Sequence, residues 1–448
     1  MSSSSNSSND FITDKYLSWG RIPKVSQEIR YLEWLSDAKF PKSEKSILAR
    51  GLGRSYGDSC LNENGILLST ELYRRFLDFD EKTGVIRCTA GITLEDILDV
   101  ALPKGWFLPV SPGTKFVTVG GAIANDVHGK NHHVAGTFGC YVKKMALLRS
   151  DNKIYEISPN KEIELYKATI GGLGLTGIIL WADIQLVSVK SGFFDGEFIK
   201  FSSLDEFFEI NKESGKKFDY TVSWLDCASQ GENFGRGIYM RANHSQKDFS
   251  ELPKDPIKLP LIVPFNFPSW TLNNFTVKAF NFAYYNKQFS KFVKKTVHYD
   301  PFFYPLDVVK DWNKIYGKNG FYQYQCVVPR DDNDKAIKEV FKTIVESRSA
   351  SFLAVLKEFG EVKSPGMLSF PAPGITLCLD FINLGEKTVK LLQTLEDLVK
   401  GFNGKMYPSK DTCMRGSSFR AFYPNLNEFK KYIDSKISSS FWRRMNNS

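Results

Sequence analysis

Three of the chain's five histidines, His128, His132 and His133, fall in one stretch, TVGGAIANDVHGKNHHVAG, from Thr118 to Gly136. Paired glycines precede them, Lys130 lies between them, and bulky side chains are almost absent. Imidazoles this dense on so bare a backbone fit a metal site, a phosphate cradle or a flavin pocket. A metal needs further ligands at set spacing. No acidic or cysteine partner follows here, and Lys130 repels a cation, so no metal is expected. Two more glycine loops favour a cofactor. ARGLGRSYGD, Ala49 to Asp58, lets backbone N–H groups converge on an anion. It lacks the Gly-Lys-Ser/Thr ending of an ATP-binding loop. GGLGLTG spans Gly171 to Gly177. Three such loops in one region suggest a ligand with a pyrophosphate and a flat ring system. No GxGxxG follows a strand, which argues against a nicotinamide cofactor.

Elements must hold these loops. From about Ile47 to Lys190, β-like runs alternate with glycine turns: GILLST, VIRCTA, VTVGGAIAN, KKMALLRS and GIILWADIQLVSV. TLEDILDVALPKG is an amphipathic helix with Leu94, Ile97, Leu98 and Ala101 on one face. Thr93 is its N-cap, with Asp96 three residues on. From about Ser191 to Lys405, strands such as YTVSWLD, FYQYQCVVP and ITLCLDFIN alternate with long amphipathic helices. That pattern suits an antiparallel sheet covered by helices, and the fold class is α+β.

At 448 residues the chain has room for two or three domains. A net charge of +9 admits nucleic acid, anionic lipid, a phosphorylated substrate or simply a solvated lysine-rich surface. Seven scattered cysteines without a CxxC pair suggest reduced thiols in a cytoplasm-like compartment. MSSSSNSSND reads as a disordered tail over residues 1–10, without the pattern of a signal peptide. No apolar run is long enough to span a membrane. Residues 259–305 are aromatic, basic and broken by prolines. They read either as irregular core or as a flexible flap touching a membrane surface.

ARGLGRSYGD, SPGTKFVTVGGAIANDVHGKNHH and GGLGLTGIIL together resemble the FAD-binding domain of the vanillyl-alcohol-oxidase (PCMH-type) flavoproteins. HGKNHHVAGTFG, LKEFG, LSFPAPGITLCLDF and YPSKD narrow the resemblance to the decaprenylphosphoryl-β-D-ribose 2′-oxidase family, over nearly the whole chain. The resemblance implies an FAD-binding domain over 11–190, a substrate domain over 191–405, and a segment 406–448 that returns to the first. It places Arg50, Gly51, Leu52, Gly53, Arg54, Ser55, Tyr56 and Gly57 around FAD. Gly113, Thr118, Gly120, Gly121 and Asn125 belong to the same cradle, with Ile179 and Tyr407 packing on the cofactor. Arg54 stands where related proteins attach FAD covalently, so the FAD is expected to be non-covalent. His128 and Lys410 fall on catalytic positions beside the flavin. A cation at Lys410 would stabilise reduced flavin. Either residue type could serve as the base for the alcohol proton.

Tyr56, Lys130, Trp224, Gln323, Gln325, Lys357 and Cys378 fall on substrate-pocket positions, and Thr376 replaces the family's usual Asn. Gln323 and Gln325 alternate on one strand face. The implied reaction oxidises the 2′-hydroxyl of a polyprenyl-phosphoryl ribose to a 2′-keto intermediate, the first half of epimerisation to the arabinose. A short-chain dehydrogenase/reductase would act next. The enzyme would be cytoplasmic and peripheral at the membrane, with no nucleic-acid partner. The rival reading is a soluble aldonolactone or alditol oxidase of the same superfamily. A basic binding protein for nucleic acid or lipid leaves the glycine loops unexplained.

Overall fold

The computed structural model describes residues 14–34, 39–247, 252, 261–349 and 351–447. The expected N-terminal tail and the first two residues of the aromatic segment lie outside them.

Three sheets frame the molecule. A small parallel sheet has Ile66–Ser69 at its centre, flanked by Glu28–Tyr31 and Ile47–Arg50. Its central strand is buried along its whole length, as an apolar run in a parallel sheet requires. The Ala49–Asp58 loop leaves the end of Ile47–Arg50. A five-stranded antiparallel sheet runs Phe76–Asp80, Val85–Thr89, Ile178–Gln185, Val142–Leu148, Ile154–Ile157. Beside it, helix Leu94–Ala101 buries Leu94, Ile97, Leu98 and Ala101. Thr93 and Asp96 close a capping box at its start.

One β-like run is helical. Thr118 caps a helix from Val119 to Ala124, its hydroxyl accepting the Gly121 amide. The β-branched Val117–Val119 suggested a strand. The cap, the small side chains behind it and tertiary packing of Val119, Ala122 and Ile123 override that preference.

The second region is an eight-stranded, fully antiparallel sheet. Its order is Phe292–His298, Phe193–Phe201, Gly237–His244, Tyr220–Leu225, Ala354–Phe359, Gly374–Ile382, Phe321–Val328, Lys405–Met406. Helices Leu204–Ser214, Lys335–Glu346 and Glu386–Gly401 pack against it. Lys335–Glu346 alone buries Ile337, Val340, Phe341 and Ile344, each worth about 1.5–3 kcal/mol of transfer free energy. Strand alternation turns Gln323, Gln325, Lys357 and Cys378 toward a cavity instead.

The aromatic segment divides. Residues 263–291, with helix Asn274–Asn286, lie outside the large sheet, as does the short helix Tyr299–Phe303. Phe292–His298 is an edge strand paired with Phe193–Ile199, and Tyr299, Phe302 and Phe303 are buried. The expected flap is therefore shorter than 259–305, because backbone pairing and buried rings claim its end.

The chain's end returns to the first region. Ile47 donates to Lys436 O at 2.9 Å and Ser440 to Leu61 O at 2.8 Å. Arg444 forks onto Asp58 at 2.8 Å and reaches Asp411 at 2.9 Å. Among the described residues, no helix is long and apolar enough to cross a membrane.

Candidate active site

A cavity of about 580 Å³ lies between the glycine loops and the large sheet. One half is walled by Arg50 to Tyr56, Gly113, Thr118, Gly120, Gly121, Asn125 and Ile179. The amides of Leu52 to Ser55 find no acceptor among the described residues. They are free to hold an anion. By contrast, the Val119, Gly120 and Gly121 amides are spent on Ile92 O, Ala90 O and the Thr118 hydroxyl. The second loop thus contributes closeness rather than donors. A Cβ on Gly51 would lie 2.2 Å from the Thr118 hydroxyl. A Cβ on Gly113, a cavity-lining residue, would meet nothing within 4 Å among the described residues. Buried Arg50 Nε and His128 Nδ1 have no hydrogen-bond partner among the described residues and belong to cavity-lining residues. A pyrophosphate-bearing, flat-ringed ligand fits this donor set.

Arg54 lies 4.1 Å from the Trp19 ring centroid. Cys60 donates to Ser55 O and Gly57 O, and burial raises its thiol pKa. Tyr407 stacks on Phe370 at 4.7 Å and donates to Asn125 O at 2.8 Å.

The three histidines go separate ways. His128 packs among Phe359, Phe370 and Tyr407, with Nε2 3.0 Å from Gln325 Nε2. Burial, then Lys357, pushes its pKa well down, so the ring is neutral. His132 packs on Phe359, and His133 Nε2 meets Phe218 O at 2.9 Å. Among the described residues no group of metal-ligating side chains converges.

The other half of the cavity is lined by three lysines. Lys130 donates to Phe303 O at 3.1 Å and Lys357 to Gly129 O at 2.8 Å. Lys410 Nζ lies 4.1 Å from the Tyr56 ring centroid. None of the three forms an ion pair among the described residues. Burial lowers the Lys130 pKa to about 8. Burial and Lys130 together lower Lys357 to about 7. Burial also lowers Lys410, opposed by Cys378 and Asp380. Lys130 and Lys357, charged at this cost, suit an anionic ligand.

Comparison with known proteins follows the same division. A family model described as FAD binding domain matches residues 38–158. The chain is 36% identical over 394 residues to decaprenylphosphoryl-β-D-ribose oxidase of Mycolicibacterium smegmatis, covering 86% of this chain and 85% of that one. The chain belongs to the decaprenylphosphoryl-ribose oxidase family. An uncharacterised protein of the mprA 5′ region in Streptomyces coelicolor is 28% identical, over 76% of this chain and 94% of its own. A D-lactate dehydrogenase of Archaeoglobus fulgidus is 33% identical over 32% of this chain and 34% of its own. The family and its FAD-binding domain make the protein an FAD-dependent oxidoreductase.

Within this oxidase family frame, three expected site residues stand behind the cavity wall. Gly57 docks the first loop on the returning chain: a Cβ there would lie 1.7 Å from Asp411 O. Its neighbour Tyr56 donates to Ser409 O at 2.8 Å. Thr376 is buried and accepts Gln325 Nε2 at 3.2 Å, so it orients that amide and does not line the cavity. Trp224 donates to Phe352 O at 3.1 Å and packs on Tyr284 at 4.7 Å. Its strand puts Val222 on the cavity instead.

Sequence reading missed Asp380. It faces Gln323 across the Gly374–Ile382 and Phe321–Val328 pair, and accepts Gln323 Nε2 at 2.7 Å and Tyr316 OH at 3.1 Å. Burial raises its pKa to about 6, with Gln323 and Lys410 pulling it back. The signal was present in ITLCLDF. An acid two residues from Cys378 shares its strand face, and a buried acid needs partners.

Proposed function

We propose that the protein oxidises the 2′-hydroxyl of a polyprenyl-phosphoryl-β-D-ribose to the 2′-keto sugar, using FAD held without a covalent link. The observation that carries this reading is the pairing, in one cavity, of a bare glycine cradle with Lys130, Lys357 and Lys410, none of which forms an ion pair among the described residues. Arg50 to Tyr56, Thr118, Gly120, Asn125 and Tyr407 would hold the cofactor. Bound FAD supplies a two-electron acceptor for the hydride leaving the carbinol carbon. Lys130 and Lys357 hold the sugar phosphate through charge-assisted hydrogen bonds. Gln323 and Gln325 orient the sugar hydroxyls, and Asp380 and Thr376 fix those amides. Lys410 takes the hydroxyl proton and becomes a cation as negative charge develops beside it. His128 is too weak a base for that step and acts by holding Gln325.

Free alditols and aldonolactones carry no phosphate for the lysines, which argues against the rival oxidase. Peripheral contact with the membrane and hand-over of the keto product to a short-chain dehydrogenase/reductase complete the reading. Steady-state turnover of farnesyl-phosphoryl ribose against free alditols and aldonolactones tests it. Turnover of the phosphoryl sugar with loss of two hydrogens by mass supports it; turnover of free sugars alone overturns it.

A further inference from the structure

Helix Asn274–Asn286 packs on the protein along one side only. Its inner face buries Val277 and Asn281, and Asn281 anchors it by donating to Asp226 at 2.9 Å and Ser351 O at 3.1 Å. Its outer face carries Phe275 and Phe282 seven residues apart, with Lys278 between them. Phe275 is 80% exposed, and Phe289, just past the helix, is 96% exposed. Trp270, in the loop before it, is 76% exposed. Large apolar side chains clustered on an exposed face mark an interaction or membrane surface.

The charge around it is one-sided too. From Leu261 to Tyr299 the sequence has five lysines and no acid. Lys291 and Lys294 reach Glu206 and Glu197 on the body of the protein. Lys278, Lys287 and Lys295 make no ion pair among the described residues. The same segment borders the cavity: exposed Ile262 lines its wall and pairs with Lys310, another lining residue.

We propose that this face docks on an anionic phospholipid bilayer, with Phe275, Phe282 and Phe289 entering the acyl boundary and the unpaired lysines meeting lipid phosphates. The cavity mouth then opens onto the membrane plane. This deepens the reading above, because a prenyl-anchored substrate resides in that plane, but its test needs neither substrate nor turnover.

The test is co-sedimentation of the full-length, FAD-loaded protein with vesicles of phosphatidylcholine alone or with phosphatidylglycerol. The wild type should bind the anionic vesicles and lose binding at high salt. The F275S/F282S/F289S variant should lose at least about tenfold in partitioning. The milder K278E/K287E variant should lose about tenfold on anionic vesicles only. Both should keep FAD and normal oxidation of a short-chain, water-soluble substrate. Unchanged partitioning of the folded triple variant overturns the proposal. So does concentration-dependent self-association of the wild type that the triple variant abolishes without change in vesicle binding, because the face then covers a second copy.

Discussion

The two halves of the cavity follow opposite rules. The half proposed to hold the cofactor would work through backbone: amides at Leu52 to Ser55 without an acceptor among the described residues, glycines that permit contact, and few charges. The half proposed to hold the substrate would work through side chains raised on a rigid sheet: lysines, glutamines and a buried acid. Errors in the first half act through geometry and should strip the cofactor. Errors in the second act through charge and should leave the cofactor in place while the chemistry fails.

The sharpest test of that contrast is Lys410→Ala. FAD should remain bound, while the rate of flavin reduction by substrate falls about 10²–10⁴-fold in stopped-flow absorbance. Next is Lys357→Met, which removes one charged anchor. We expect kcat/KM for the phosphoryl sugar to fall about 10–100-fold, with residual activity on free sugars unchanged. The same lysine sets a pH signature. Its pKa in the free protein lies near 7, below the unfolded value, so its charge is complete only below that pH. Since the anion needs the protonated form, kcat/KM should fall as pH rises above about 7, and Lys357→Met should flatten that limb.

Gly57→Ala should do the reverse of the lysine changes. Its methyl would overlap Asp411 O, and overpacking costs about 1–3 kcal/mol. The expected outcome is poor FAD retention, read as the flavin-to-protein absorbance ratio, with the remaining loaded enzyme reduced at a normal rate. The smallest effect belongs to Thr376→Val. Losing one hydrogen bond to Gln325 should cost about 1 kcal/mol, or about fivefold in kcat/KM, without loss of FAD.

The same contrast explains what was readable in the sequence. Glycine runs are local signals, so the loops at Ala49–Asp58 and Gly171–Gly177 were visible, as was the Thr93 capping box. The antiparallel sheet and its helices followed from periodicity. Register is not local. That Gln323 faces Asp380, and that Thr376 supports Gln325, depends on strand pairing between segments about fifty residues apart. Val117–Val119 misled because its branched side chains favour a strand in isolation, whereas the Thr118 cap decides in context. The aromatic segment misled by its composition: core rings at Tyr299–Phe303 and surface rings at Phe275–Phe289 look alike until burial separates them.

The most direct test of the central claim is anaerobic absorbance of the bound flavin on mixing with farnesyl-phosphoryl ribose. The account predicts bleaching of the oxidised flavin band by this substrate in the wild type, and none by free alditols or aldonolactones. Bleaching by the free sugars, with the phosphoryl ribose inert, would contradict it.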